Sequence, residues 1–212
     1  TVYKLKKTMK LAALGLGALA AVSGASATTY FEDKFDADPF DAGWTHSEWK
    51  KKSDRGVFSW TAGEWNVDAD AEKGIMTSED ARFHAISQKL SSPIAPYTLG
   101  KAGKDLVVQF TAKNHLREYA FCGGGYIKLL PDMDSKKFGG DTPYSVMFGP
   151  DMCGYDVSRV HAIFTNADGK NLLKSDEVKL EYADKNEFTH LYTMHVKADG
   201  TYEILFDQEV KS

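Results

Sequence analysis

Two stretches of this chain bring together residue types that do recognisable chemistry. They are Cys122-Gly-Gly-Gly-Tyr126-Ile-Lys128-Leu and Tyr144-Ser-Val-Met-Phe-Gly-Pro-Asp-Met-Cys153-Gly. Between them they hold the only two cysteines, a triple-glycine entry into a strand, two tyrosines and a lysine. A tyrosine ring presents an apolar face with a polar edge, and it stacks on the C–H face of a pyranose. Lys128 offers three N–H donors to ring hydroxyls. Gly123 to Gly125 carry no side chains, so a ligand or a neighbouring backbone can approach closely there. The set suits a sugar-binding sheet face and does not look like a nucleotide or metal site. An ordinary mixed outer face of a sheet fits the same spacing, and residue types alone leave that reading open.

The elements that must position these groups read as strands. Asp105-Leu-Val-Val-Gln-Phe-Thr, Gly125-Tyr-Ile-Lys-Leu-Leu, Tyr144-Ser-Val-Met-Phe, Val160-His-Ala-Ile-Phe, Thr189-His-Leu-Tyr-Thr-Met-His-Val and Thr201-Tyr-Glu-Ile-Leu-Phe are β-type runs separated by turn residues. Asp168-Gly169 and Asp199-Gly200 are hairpin signals. Few segments have a 3.6 period, so an all-β sandwich is expected. In the Gly125 run, Tyr126 and Lys128 share one face while Ile127 and Leu129 point to the other. The apolar face packs inward and leaves Tyr126 and Lys128 at an accessible surface.

The N-terminus reads as a targeting segment. Lys4, Lys6, Lys7 and Lys10 precede an apolar run from Leu11 to Val22, and Ala25-Ser-Ala27 has the small-x-small pattern of a cleavage site. The run is too short to span a bilayer, which needs about 20 residues. Residues 1–27 are therefore expected to be a signal peptide with Met9 as a candidate initiator, and residues 28–212 to be the mature part. In that oxidising compartment, Cys122 and Cys153 most simply pair with each other, the alternative being two buried thiols. Such a bond would close a loop worth roughly 3–4 kcal/mol in the chain-entropy model.

The 212 residues are 42% hydrophobic and 12% aromatic, enough for one large core. Beyond residue 27 the chain carries 22 basic and 30 acidic residues, a net charge of −8. An acidic body argues against nucleic acid as a partner. Two cysteines without paired histidines at short spacing do not make a zinc site. His161 and His190 alternate with apolar residues and read as hydrogen-bonded strand histidines. Trp44, Trp49, Trp60 and Trp65 read as packing residues, and Lys50-Lys51-Lys52 as a solvated turn.

These residues resemble the calreticulin/calnexin family. The likeness extends over Tyr30-Phe-Glu-Asp-Lys-Phe, Gly43-Trp-Thr, Gly74-Ile-Met-Thr-Ser-Glu-Asp-Ala-Arg-Phe, Leu106-Val-Val-Gln-Phe-Thr, both cysteine motifs and Glu187-Phe-Thr-His-Leu-Tyr-Thr. The Gly123–Gly125 run favours the soluble branch, whereas Leu129-Leu130 and Asp141-Thr-Pro-Tyr144 lean to the membrane-bound one. The resemblance implies a legume-lectin or concanavalin-like jelly-roll β-sandwich whose C-terminal part lies beyond residue 212. It implies a lectin chaperone of the endoplasmic reticulum lumen that binds monoglucosylated high-mannose N-glycans on nascent glycoproteins. A thiol oxidoreductase recruited by an arm beyond residue 212 is an implied partner, and a monomer is expected. By position, Tyr126, Lys128, Tyr144 and Asp151 match the family's glucose-binding residues, with Met147 and Ile163 matching apolar pocket positions. Strict alternation would put Tyr144 and Met147 on opposite faces, so a bulge or strand end must intervene if both touch sugar. Cys122 and Cys153 match a disulfide beside the pocket. The backbone carbonyls of Lys34, Ala71 and Lys73 match ligands of one structural calcium, a role that does not depend on the side chain.

Two other classes compete. A jelly-roll glycosidase needs two carboxylates about 5–10 Å apart. Asp176-Glu177 with Glu181, or Asp132 with Asp134, are the nearest candidates, but neither sits in a setting that favours hydrolysis, and no enzyme activity is expected. A polypeptide-binding or calcium-buffering protein without a working sugar site is the other.

Overall fold

The computed structural model describes residues 27–114, 122–154, 157–173, 178–181 and 186–212. Nearly all of the expected targeting segment, together with Asp176 and Glu177, therefore lies outside the described residues. In chain order the strands are β1 (Thr45–His46), β2 (Phe58–Thr61), β3 (Gly74–Thr77), β4 (Ile86–Ser87), β5 (Leu106–Lys113), β6 (Cys122–Gly124) and β7 (Ile127–Leu129). They continue as β8 (Val146–Cys153), β9 (Val157–Thr165), β10 (Asn171–Leu172), β11 (Val178–Lys179), β12 (Thr189–Val196), β13 (Tyr202–Phe206) and β14 (Glu209–Val210). One short helix, α1 (Pro96–Lys101), starts at a proline, whose missing N–H costs nothing in a first helical turn.

Two antiparallel sheets form the body. In the four-stranded sheet the order is β14-β13-β12-β5. The six-stranded sheet centres on β8, with β9 on one side and β6 and β7 in tandem on the other, while β10 and β11 both pair with the far edge of β9. The inner faces meet because the apolar residues alternate. Val146, Phe148 and Met152 of β8 and Val160 of β9 pack against Tyr192 and Met194 of β12 and Ile204 and Phe206 of β13. Phe110 joins the layers, stacking on Tyr192 at 5.4 Å and meeting Phe148 edge-on at 5.7 Å. Each such burial removes roughly 1.5–3 kcal/mol of apolar side chain from water.

Both expected hairpins form. Asn166 N–H donates to Lys170 O around the Asp168-Gly169 turn, and Lys197 N–H donates to Thr201 O around Asp199-Gly200. Gly169 and Gly200 have φ of 77° and 89°, the left-handed region where a Cβ is disfavoured.

Strand extents differ from the sequence reading where glycine and proline misled it. The Tyr144–Phe148 run starts two residues later and continues through Gly149-Pro150 to Cys153. Proline is tolerated because its missing donor faces an interruption: Gly125 and Tyr126, between β6 and β7, lie outside the ladder opposite Gly149-Pro150. There Gly125 N–H donates to Pro150 O at 3.1 Å. The β1–β4 and β2–β3 pairs went unread, because two- to four-residue strands carry little periodic signal. Trp44 and Trp60 do pack, through Nε1 bonds to Asp33 Oδ2 and Phe35 O. Trp65 corrects the packing expectation: it is 68% exposed, with φ of 59°.

Candidate functional site

The outward face of the six-stranded sheet gathers the residues singled out by chemistry. On β8, alternation turns Met147, Gly149, Asp151 and Cys153 away from the core. Register then supplies their neighbours. Met147 lies between Lys128 of β7 and Ile163 of β9, Asp151 between Gly124 of β6 and Arg159 of β9, and Gly149 beside His161. Cys153 is disulfide-bonded, and the only other cysteine, Cys122, stands opposite it in the register.

Tyr126 occupies the interruption between β6 and β7. Its ring lies 5.7 Å from the His161 ring, and its hydroxyl donates to Asp151. Burial, then the Asp151 charge and this hydrogen bond, push the phenol up to about 12, so it remains a donor through the whole physiological range. Two glycines make room. A Cβ on Gly124 would collide with the Tyr126 hydroxyl, and one on Gly149 (φ 150°) with the Gly125 carbonyl. Gly124 thus accommodates the tyrosine itself, an intramolecular use of the bare backbone.

Lys128 lies at the other end of the face. Its Nζ donates to Gly140 O at 3.3 Å and sits 4.9 Å from the centroid of the Tyr144 ring. Burial holds the ammonium below the usual lysine range, with the Asp141 charge acting in the opposite direction. Tyr144 precedes β8, and a bend at Ser145 breaks the alternation. That strand end resolves the parity conflict, because Tyr144 can reach Lys128 without sharing strand parity with Met147. Asn171 Nδ2 donates to the Tyr144 hydroxyl at 3.2 Å and is itself held through Oδ1 by Thr165 Oγ1 at 2.9 Å.

The loop supplying Gly140 is braced from the N-terminal part of the chain. Ser47 Oγ donates to Phe138 O and Lys136 O, Glu48 N–H donates to Lys136 O, and the Trp49 ring lies where a Gly139 Cβ would be. Asp132 and Asp134, one candidate hydrolytic pair, are used structurally in the same loop. Asp132 takes two contacts from Lys89 Nζ at 2.9 and 3.0 Å, and Asp134 caps the 3₁₀ turn at Ser135–Lys137.

All six expected contact residues, Tyr126, Lys128, Tyr144, Met147, Asp151 and Ile163, therefore fall along this one face. Sequence reasoning missed Arg159, while His161 is a hydrogen-bonded strand histidine as expected. Both contact Asp151: Arg159 Nε and Nη2 lie 3.0 Å, and His161 Nε2 3.3 Å, from Asp151 Oδ2. Extending the alternation along β9 from Ile163 would have found Arg159. His190 likewise behaves as expected, buried between Asp207 Oδ2 at 2.7 Å and Asn186 Oδ1 at 3.0 Å.

The Calreticulin family model matches residues 31–212. The chain belongs to the calreticulin family. Curated calreticulins from Chlamydomonas reinhardtii and Euglena gracilis are each 45% identical to it, over 90% and 93% of this chain. That of Bombyx mori is 41% identical over 95%. The matches cover 44%, 46% and 48% of those calreticulins, so the chain spans about half the length of the curated relatives it matches. The solved T. cruzi calreticulin globular domain superposes with a TM-score of 0.74 at 39% identity, over 87% of this chain and 64% of that one. The calreticulin-type jelly-roll sandwich is thus the fold of this chain.

The three positions expected to give calcium carbonyls lie in loops outside the strands of the β8 sheet. Phe35, next to Lys34, accepts from Trp60 Nε1 at 2.9 Å, and Lys73 Nζ lies 4.2 Å from the centroid of the same indole. Trp60 therefore draws the Lys34 and Lys73 segments together, while Ala71 sits in a turn fastened by Asp68 Oδ1.

Proposed function

We propose that the outer face of the β8 sheet binds the monoglucosylated branch of a high-mannose N-glycan. In this reading the chain contributes the N-terminal part of a lectin chaperone that acts on nascent glycoproteins in the endoplasmic reticulum lumen. The observation that carries it is the convergence of two tyrosines, a lysine, an aspartate and two apolar side chains on one face, paired with bare glycine backbone. Tyr126 and Lys128 supply donors for sugar hydroxyls, and Asp151 supplies an acceptor. Met147 and Ile163 form an apolar floor, and the Tyr144 ring is a stacking surface.

Secretion into an oxidising compartment accords with the bonded state of Cys153. We assign a structural calcium to the carbonyls of Lys34, Ala71 and Lys73. Oxygen donors suit this hard cation, and the Trp60 anchor holds the Lys34 and Lys73 segments close. A thiol oxidoreductase partner belongs to the part of the protein beyond residue 212, and the protein acts as a monomer.

The decisive experiment titrates full-length protein with glucose-capped and uncapped oligomannose by calorimetry. Selective binding of the capped glycan, lost in Lys128→Ala, is expected. Equal or absent binding of the two glycans defeats the lectin assignment. Chelation of calcium is expected to lower the thermal midpoint without altering the order of glycan preference.

A further inference from the structure

We infer that Arg159 is a positioning residue of the sugar face, fixing the Asp151 carboxylate in one orientation before the ligand arrives. This rests on the lectin reading above and extends it to a residue that does not itself need to touch the sugar.

The geometry is asymmetric. Arg159 Nε and Nη2 both reach Asp151 Oδ2 at 3.0 Å, and His161 Nε2 approaches the same oxygen at 3.3 Å. Arg159 is the direct cross-strand partner of Asp151 in the β8–β9 ladder, so the pair is set by register rather than by a loop. The Asp151 side chain is 20% exposed and that of Arg159 is 37% exposed, so the contact lies at the surface but largely out of bulk water.

A planar guanidinium delivers two N–H groups at a fixed angle, and a carboxylate that accepts both loses its rotational freedom. A carboxylate held in one orientation before the ligand arrives spares that ordering when the sugar binds. Opposite Arg159 across Asp151 is Gly124, over which the Tyr126 hydroxyl lies. Asp151 is thus held by Arg159 from the β9 side and by the Tyr126 hydroxyl from the β6 side.

The test compares Arg159→Ala, Arg159→Gln and Arg159→Lys with wild-type full-length protein, using glucose-capped oligomannose in calorimetry. Arg159→Ala and Arg159→Gln are expected to bind about tenfold more weakly, since a charge-assisted, geometrically defined pair is lost. Arg159→Lys, which restores the charge with one point donor, is expected to recover part of that loss. A double-mutant cycle with Asp151→Asn separates positioning from general damage. If Arg159 acts through Asp151, Arg159→Ala causes little further loss in the Asp151→Asn background.

Wild-type affinity in Arg159→Ala, or a loss that adds fully to that of Asp151→Asn, overturns the role of Arg159 and leaves the lectin reading intact. Failure of wild-type protein to prefer the capped glycan overturns both. Thermal midpoints of all variants close to wild type are expected, because the side chain lies on the outer face and contributes nothing to the core between the sheets.

Discussion

The two sheets share one core, yet their outer faces are differently made. On the four-stranded sheet the polar groups satisfy one another. His195 Nε2 lies 2.7 Å from Asp105 Oδ2, Lys197 pairs with Glu203, and Ala198 N–H donates to Asp105 Oδ1 at 2.8 Å. Asp105 and Glu203 are held below the usual carboxylate range, in each case chiefly by a side-chain hydrogen bond. On the six-stranded sheet the largest influence on both Tyr126 and Lys128 is burial instead. One face settles its charges by pairing. The other holds polar groups partly out of water, beside apolar side chains and exposed backbone, which is the environment that marks a functional site.

The largest expected effect tests what the faces have in common. Phe148 is fully buried, meets Phe110 edge-on and sits one residue from Met147 and Gly149. Phe148→Ala is expected to destabilise the domain by about 3–5 kcal/mol, measured by denaturant unfolding. The loss should be global, lowering the protection of both sheets in hydrogen exchange. Selective loss in one sheet would show that the sandwich is not a single cooperative unit.

Gly149→Ala comes next and breaks the symmetry between the sheets. The new methyl collides with the Gly125 carbonyl, and φ of 150° strains any side-chain-bearing residue. Backbone strain of this kind costs on the order of 1–3 kcal/mol. The damage should concentrate where Tyr126 crosses β8, so glycan binding falls by more than the loss of stability explains. A variant that binds glycan normally would show that Tyr126 can move without consequence.

How much of this was legible in the residues follows from what each signal depends on. The runs Leu106–Lys113, Thr189–Val196 and Tyr202–Phe206 were readable because alternation is sustained over five to eight residues. The two hairpins were readable because Asp-Gly has a local reason to turn. The shared face of Lys128 and Met147 depends on cross-strand register, and Arg159 owes its place to a partner eight residues earlier across a hairpin. Alternation from Ile163 puts Arg159 on the face, but neither cross-strand pairing is visible in local spacing. The Gly149-Pro150 dipeptide looked like a strand end because its compensation, the gap at Gly125-Tyr126, lies in another strand. Tyr144 was the reverse case: alternation posed a conflict that the bend at Ser145 removes.

Tyr126 then sharpens the comparison on the proposed glycan face alone. Tyr126→Phe removes the hydroxyl that donates to Asp151 but keeps the ring beside His161. Glycan affinity is expected to fall by about tenfold, near 1.4 kcal/mol, with little change in stability. The phenol titrates higher in the folded state than its ordinary value of 10, rising to about 12. The folded state therefore holds this proton more tightly than the unfolded chain does. Its stabilising contribution is complete below pH 10 and is lost as the pH rises through about 12. Difference absorbance between wild type and Tyr126→Phe should show the missing phenolate appearing near the upper value. Ionisation at pH 10 would mean that the ring is solvated and the Asp151 contact absent.

The smallest effect belongs to the opposite face and is the control that gives the others meaning. His195 is the main reason Asp105 titrates low, so His195→Ala should raise the Asp105 pKa toward its ordinary value. A carboxylate with a depressed folded pKa stabilises the protein above its unfolded pKa, and that contribution disappears as the pH falls through the folded value. The acid limb of stability, below about pH 4, should therefore shift to higher pH in His195→Ala. At neutral pH the thermal midpoint should scarcely move, since the pair is exposed and screened by solvent. Glycan affinity should not change at all, because the core separates this face from Asp151. If His195→Ala weakened glycan binding as Tyr126→Phe does, the two faces would be coupled through the sandwich. Their different chemistry would then no longer locate the site.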